Sequence, residues 1–141
     1  MSYKNENMKM IELHENGLDI QFRIRENGVV ELADFSSQEV KKAIMEPKED
    51  ICYPAVEIHR SGTGSLNMHA YKNNINQSSV DFVYENHELK AQAGGKELEI
   101  VMISPEKLKA VYHMRLFDGV PAVQTWTEIT NEGSEDQGLT Y

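Results

Sequence analysis

The sequence predicts an all-β protein: an antiparallel β-sandwich with at most one short helix. Three observations predict it. First, Leu108 to Phe117 and Val120 to Ile129 alternate apolar and polar residues on either side of Asp118-Gly119. A period of two gives a strand one buried and one wet face, and Asp-Gly is a hairpin turn because glycine takes a positive φ without steric cost. Second, Leu18, Ile20, Phe22 and Ile24 alternate with Asp19, Gln21, Arg23 and Arg25. Third, Asn16-Gly17, Asn27-Gly28 and Gly94-Gly95 cut the chain into segments of strand length.

Met8 to His14 is the first expected strand. Glu15-Asn16-Gly17 turns it into the Leu18–Arg25 segment, and Glu26-Asn27-Gly28 turns that into Val29 to Phe35, so the first 35 residues form a three-stranded meander. Ser36 to Asp50 breaks the pattern. Ser36 or Ser37 caps a short helix near residues 37–45 that Pro47 ends, or the segment is a charged loop with one helical turn; both readings fit. Ile51 to His59 returns to strand, with Pro54 marking an edge or a bulge. Arg60 to Ser65 is a glycine loop. Ser65 to Lys72 is a further strand or the continuation of the previous one past a bulge, and Asn73 to Ser79 is polar. Val80 to Tyr84 is strand, Glu85-Asn86-His87-Glu88 a turn, and Leu89 to Ala93 the next strand. Gly94-Gly95 turns the chain into Glu97 to Ile103, which leads through Pro105 and Glu106 to the Asp118-Gly119 hairpin. About ten short strands with turns every 8–12 residues or so are the pattern of a sandwich or barrel. Leu139-Thr140-Tyr141 reads as the start of one more strand, so the sequence predicts a piece of something longer.

The 141 residues suit one domain with its own core. Twenty-three acids against 14 bases give a formal charge of -9, which repels phosphate backbones and argues against nucleic acid as a partner. No segment approaches the ~20 apolar residues of a membrane span, and the polar N-terminus has no signal-peptide core. Cys52 is the only cysteine and reads as a small buried hydrophobe. A lone thiol favours a reducing compartment, so the expected location is cytoplasmic.

No constellation in the sequence marks a catalytic centre or a metal site, and no cofactor is expected. His59, His69, His87 and His113 fall in four segments without the short spacings of zinc ligands. His113 reads as a solvent-facing or satisfied strand histidine on the face opposite Tyr112. His59 and His69 flank the glycine loop, where they would meet across a hairpin. Gly62-Thr63-Gly64 lacks the lysine of a phosphate loop and reads as a tight turn. Glu12, Asp19, Glu31, Glu97, Glu99 and Glu128 read as solvated surface charge. Trp126, in phase with Gln124 and Glu128, lies on the more polar face. Three roles are open to it: packing on another domain, joining the second sheet's core, or stacking on a sugar.

Three stretches carry a family resemblance. They are Glu12 to Leu32, Tyr53-Pro54-Ala55-Val56-Glu57-Ile58 with its glycine loop, and Lys96 to Ile100 followed by the hairpin. The hairpin places Tyr112, Phe117-Asp118-Gly119, Pro121, Val123, Trp126, Ile129, Asn131 and Gly133 in one pattern. Together they resemble the N-terminal β-domain of glycoside hydrolase family 36, the alpha-galactosidases or melibiases. The resemblance implies that residues 1–141 are one N-terminal domain of galactose-mutarotase-like supersandwich type. Such a domain precedes a catalytic (β/α)8 barrel, which holds the two catalytic aspartates, so none is expected here. It also implies a homo-oligomer and galactosides as ligands. The loop from Arg60 to Asn67 matches one that reaches a neighbouring active site in the family, without the aromatic and acidic residues common there. The sugar-contacting candidates are therefore His59, Arg60, Asn67, His69 and Trp126. A stand-alone carbohydrate- or protein-binding module and an aldose-epimerase-like enzyme are the other function classes that fit.

Overall fold

A computed structural model describes residues 9–39, 53–62 and 77–139. Within them the protein is an antiparallel all-β sandwich of two sheets, as the alternation predicts. The first sheet is the meander β1 (Lys9–Glu15), β2 (Leu18–Ile24) and β3 (Val30–Ser37), paired in the order β1-β2-β3. A single helical turn, α1 (Gln77–Val80), leads into the second sheet. That sheet is β4 (Val83–Gln92), β5 (Gly95–Ile103), β6 (Leu108–Phe117) and β7 (Val120–Asn131), also in chain order. Every connection within a sheet is a tight turn, and the glycines at 17, 28, 94 and 119 take positive φ there. No helix among the described residues is long and apolar enough to cross a membrane.

The core lies where the inward faces of β1 and β2 meet those of β5 and β6. Ile11, Leu13, Ile20, Phe22, Leu98, Ile100, Ala110, Tyr112 and Met114 belong to it. Phe22 and Tyr112 join the two sheets edge to face, with ring centroids 5.5 Å apart. Each such fully buried large side chain contributes about 1.5–3 kcal/mol relative to an exposed one. The sheets are also tied at their ends. Tyr84 N donates to Gly28 O at 2.8 Å, Gly119 N donates to Asn16 Oδ1 at 3.0 Å, and Lys96 pairs with Glu15. The four-stranded sheet overhangs the three-stranded one. On β4, His87 and Leu89 face inward but are exposed, as are Thr125 and Thr127 on β7.

Several local expectations are corrected. The 53–60 segment is no strand; a single bridge from Glu31 to Pro54 joins it to β3, and another from Arg60 to Leu139 joins it to the chain beyond β7. Pro54, lacking a donor, cannot extend a ladder there. The turn expected at Glu85 to Glu88 does not exist. β4 runs unbroken from Val83 to Gln92, with a bulge between Tyr84 and Asn86. That polar run looks like a turn because both faces of this edge strand are exposed. The described helical turn precedes β4, where a polar loop running into strand was expected. Of the helix expected near 37–45, residue 37 ends β3, and the positions from 40 onward lie outside the described residues, as do Cys52 and the strand expected at 65–72. Of the further strand expected at 139–141, Leu139 makes an isolated bridge and the last two positions lie outside the described residues.

Candidate functional site

The outward face of the second sheet gathers polar side chains that the chain order separates. The β5–β6 register sets Glu99 opposite His113 and Glu97 opposite Arg115. The β6–β7 register sets His113 opposite Trp126. All share one face, because odd-numbered residues of β5 and β6 point away from the core occupied by Leu98, Ile100, Tyr112 and Met114. Trp126 lies flat on the His113 ring, with centroids 4.6 Å apart and planes 5° from parallel. This stack covers the imidazole, so His113 is buried although it faces outward.

Three carboxylates surround the ring. His113 Nδ1 is 2.9 Å from Glu97 Oε1 and 3.9 Å from Glu99 Oε1. On the opposite side, Nε2 faces Glu128 Oε2 at 3.6 Å, too far for a hydrogen bond. Nε2 is buried without any hydrogen-bond partner. Glu99 uses its second oxygen to accept from Lys90 Nζ at 2.6 Å. That bond holds the Lys90 ammonium charged above the ordinary lysine range, partly opposed by desolvation. Glu97, expected as solvated charge, is buried against this cluster. Beneath it, burial pushes the Tyr112 phenol up, and a hydrogen bond with Thr125 partly offsets the effect.

Two consequences follow for chemistry. The carboxylates of Glu97 and Glu99 converge on one imidazole nitrogen instead of flanking a sugar-sized gap, as an acid and base of glycoside cleavage must. Neither imidazole nitrogen is open to a substrate: one is bonded to Glu97, the other enclosed. A protein group that could hold a metal is nonetheless present, since ligand atoms of Glu97, Glu99 and His113 lie within 4.8 Å of one another.

The sequence candidates divide differently. Trp126 belongs to this face. Arg60 is buried elsewhere, bonded to Ser78 and paired with Asp81 and, at 2.8 Å, with Glu106. His59 is half-buried in the same 53–60 segment. Asn67 and His69 lie outside the described residues. The Arg60 cluster fastens the segment to the α1–β4 entry and to the β5–β6 turn. Burial raises the Glu106 carboxyl, but the Arg60 bond, its own backbone amide, the Arg60 charge and Ser104 together outweigh this and leave it below the usual range. An open cleft of about 470 Å³ lies beside that turn, lined by Glu106, Lys107, Glu132 and Glu135 among others. Sequence reasoning missed the joining of Glu97, Glu99 and His113. The signal was the register: a four-residue turn after Ile103 sets 99 against 113.

No family model matches the chain, and no curated protein matches it.

Proposed function

We propose that this chain is a non-catalytic β-sandwich domain of an alpha-galactosidase-like glycoside hydrolase, serving as scaffold for a separate catalytic barrel. The β6–β7 hairpin carries the reading, because several residues of its pattern have distinct structural jobs. Tyr112 fills the core against Phe22. Asp118-Gly119 makes the turn, with Gly119 at φ +71°. Asn131 Oδ1 accepts from Gly133 N at 3.0 Å and closes the strand. The enclosed imidazole and convergent carboxylates support a non-catalytic role over an epimerase-like one. The test is to read the coding frame beyond Tyr141, express the whole product, and assay release of nitrophenol from a nitrophenyl alpha-galactoside. Turnover by the long product and none by the 141-residue chain is expected. Turnover by the short chain, or no barrel-encoding frame, would refute it.

One observation favours a second reading, a carbohydrate-binding module. Trp126 stacks on His113 on the outward face of the second sheet and is only half-buried, and an exposed indole is suited to stacking on a sugar ring. Galactose titration followed by Trp126 fluorescence separates the two; Trp126 is the only tryptophan.

A further inference from the structure

We infer that Glu97, Glu99 and Nδ1 of His113 form a binding site for a divalent transition cation of the zinc type, with Glu128 as the outer partner of the histidine. The inference goes beyond the scaffold reading and does not depend on it. Two independent observations carry it.

The first is convergence. One oxygen from each of two carboxylates and one imidazole nitrogen lie within 4.8 Å of one another, on adjacent strands whose register is fixed. A tetrahedral zinc site has ligand atoms roughly 3.4 Å apart, from metal–ligand distances of about 2.0–2.2 Å. Glu97 Oε1 is already 2.9 Å from Nδ1, and Glu99 Oε1 is 3.9 Å away. Small rotations of the two carboxylates therefore complete the set. Glu99 is free to make its rotation, since its side chain is partly exposed. Its bond to Lys90 uses the other oxygen. Mixed imidazole and carboxylate donors suit zinc, cobalt or nickel better than magnesium, which prefers oxygen alone.

The second is the orphaned nitrogen. The His113 side chain is 8% exposed, and Nε2 has no hydrogen-bond partner. While Nδ1 carries the proton that bonds Glu97, a neutral ring presents the Nε2 lone pair to the Glu128 carboxylate, which offers no donor. A cation on Nδ1 reverses the tautomer. The proton then sits on Nε2 and points at Glu128, which needs to close by less than an ångström from 3.6 Å to accept it. Metal-bound histidines generally donate their second N–H to a carboxylate in this way. The Trp126 stack fixes the ring plane for both contacts.

The experiment is isothermal titration of the chelator-treated full chain with zinc chloride, repeated with magnesium chloride. One zinc per chain and far weaker magnesium binding are expected. Glu99→Gln, chosen because its half-buried side chain can be changed without opening the core, should weaken zinc binding at least 10-fold. Glu128→Gln should weaken it about 10- to 100-fold as an outer partner. His14→Gln, which removes the exposed His14, Glu12 and Asp19 group, should leave binding unchanged. As a second readout, cobalt chloride should quench Trp126 fluorescence in the wild type and not in Glu99→Gln. Far-UV circular dichroism confirms that each variant is folded. The inference is overturned by absence of zinc binding, by equal binding in Glu99→Gln, or by loss in His14→Gln alone.

Discussion

Replacing Glu31 by glutamine tests the account of how the 53–60 segment is held. Glu31 is buried on β3 and accepts from four donor nitrogens of three residues. Arg25 approaches with Nε and Nη2, both at 3.1 Å, in a forked pair. Arg23 Nη1 lies at 3.4 Å and Tyr53 N at 3.1 Å. The last bond, with Ala55 N to Val30 O at 2.8 Å, fastens the segment to the sheet. Glutamine keeps the size but removes the charge, and turns an amide donor toward other donors. Hydrogen bonds to charged groups are worth about 1.5–3 kcal/mol each, and breaking a buried ion pair costs about 3–5 kcal/mol. The arginine side chains retain 13% and 15% exposure, so water recovers part of the loss. The expected cost of Glu31→Gln is about 2–3 kcal/mol, or a melting temperature lower by roughly 6–9 °C. Burial raises the Glu31 carboxyl, but the Arg25 bond, the Tyr53 amide and the charges of Arg25 and Arg23 outweigh it, so it stays below the usual range. A carboxylate depressed in the folded state stabilises above the unfolded value of about 4.3, and that stabilisation is lost as pH falls through the folded value. The gap between wild type and variant should thus be full at pH 7 and narrow in acid. Urea unfolding followed by far-UV circular dichroism at both pH values measures it. A gap below about 0.5 kcal/mol at pH 7, or one that stays constant into acid, would refute the reasoning.

Two further outcomes are expected. Gly95→Ala would put a Cβ 1.9 Å from the Leu116 carbonyl oxygen and 3.2 Å from the Phe117 Cα, backbone that cannot step aside, so it should cost about 1–3 kcal/mol or more; an unchanged urea midpoint would contradict the β5–β6 geometry. The hydrogen bond from His14 to Asp19 holds the imidazole protonated to higher pH than usual, against a smaller effect of desolvation. In Asp19→Asn the midpoint of the His14 titration, read by NMR, should move down, and identical midpoints would disprove the pairing.

The fold was largely legible, because strands with one buried face write their period into the chain. β1 to β3 and β5 to β7 were readable from Ile20, Phe22, Leu98 and Tyr112 and from the glycine turns. β4 was not, since an edge strand exposed on both faces has no reason to alternate. The 53–60 segment misled because Val56 and Ile58 are buried by packing, while its polar groups are held by Glu31 and Ser79 rather than by a ladder. The site was hidden for another reason. Glu97, Glu99 and His113 are ordinary residues singly, and only the pairing register makes them neighbours. Trp126 was visible as a lone aromatic on a polar face. That it buries a histidine needed the third strand to be in place.

The overhang of the second sheet decides what a spectroscopist sees. Among the described residues β7 is an edge strand, its inward Thr125 and Thr127 are exposed, and it carries the molecule's sole indole. Such a strand belongs to the part of a protein that opens first, at a free energy well below that of the whole. Its amides should exchange hydrogen ahead of those on β2 and β5. Fluorescence therefore reports the lifting of one border strand from His113, while circular dichroism reports the loss of the fold.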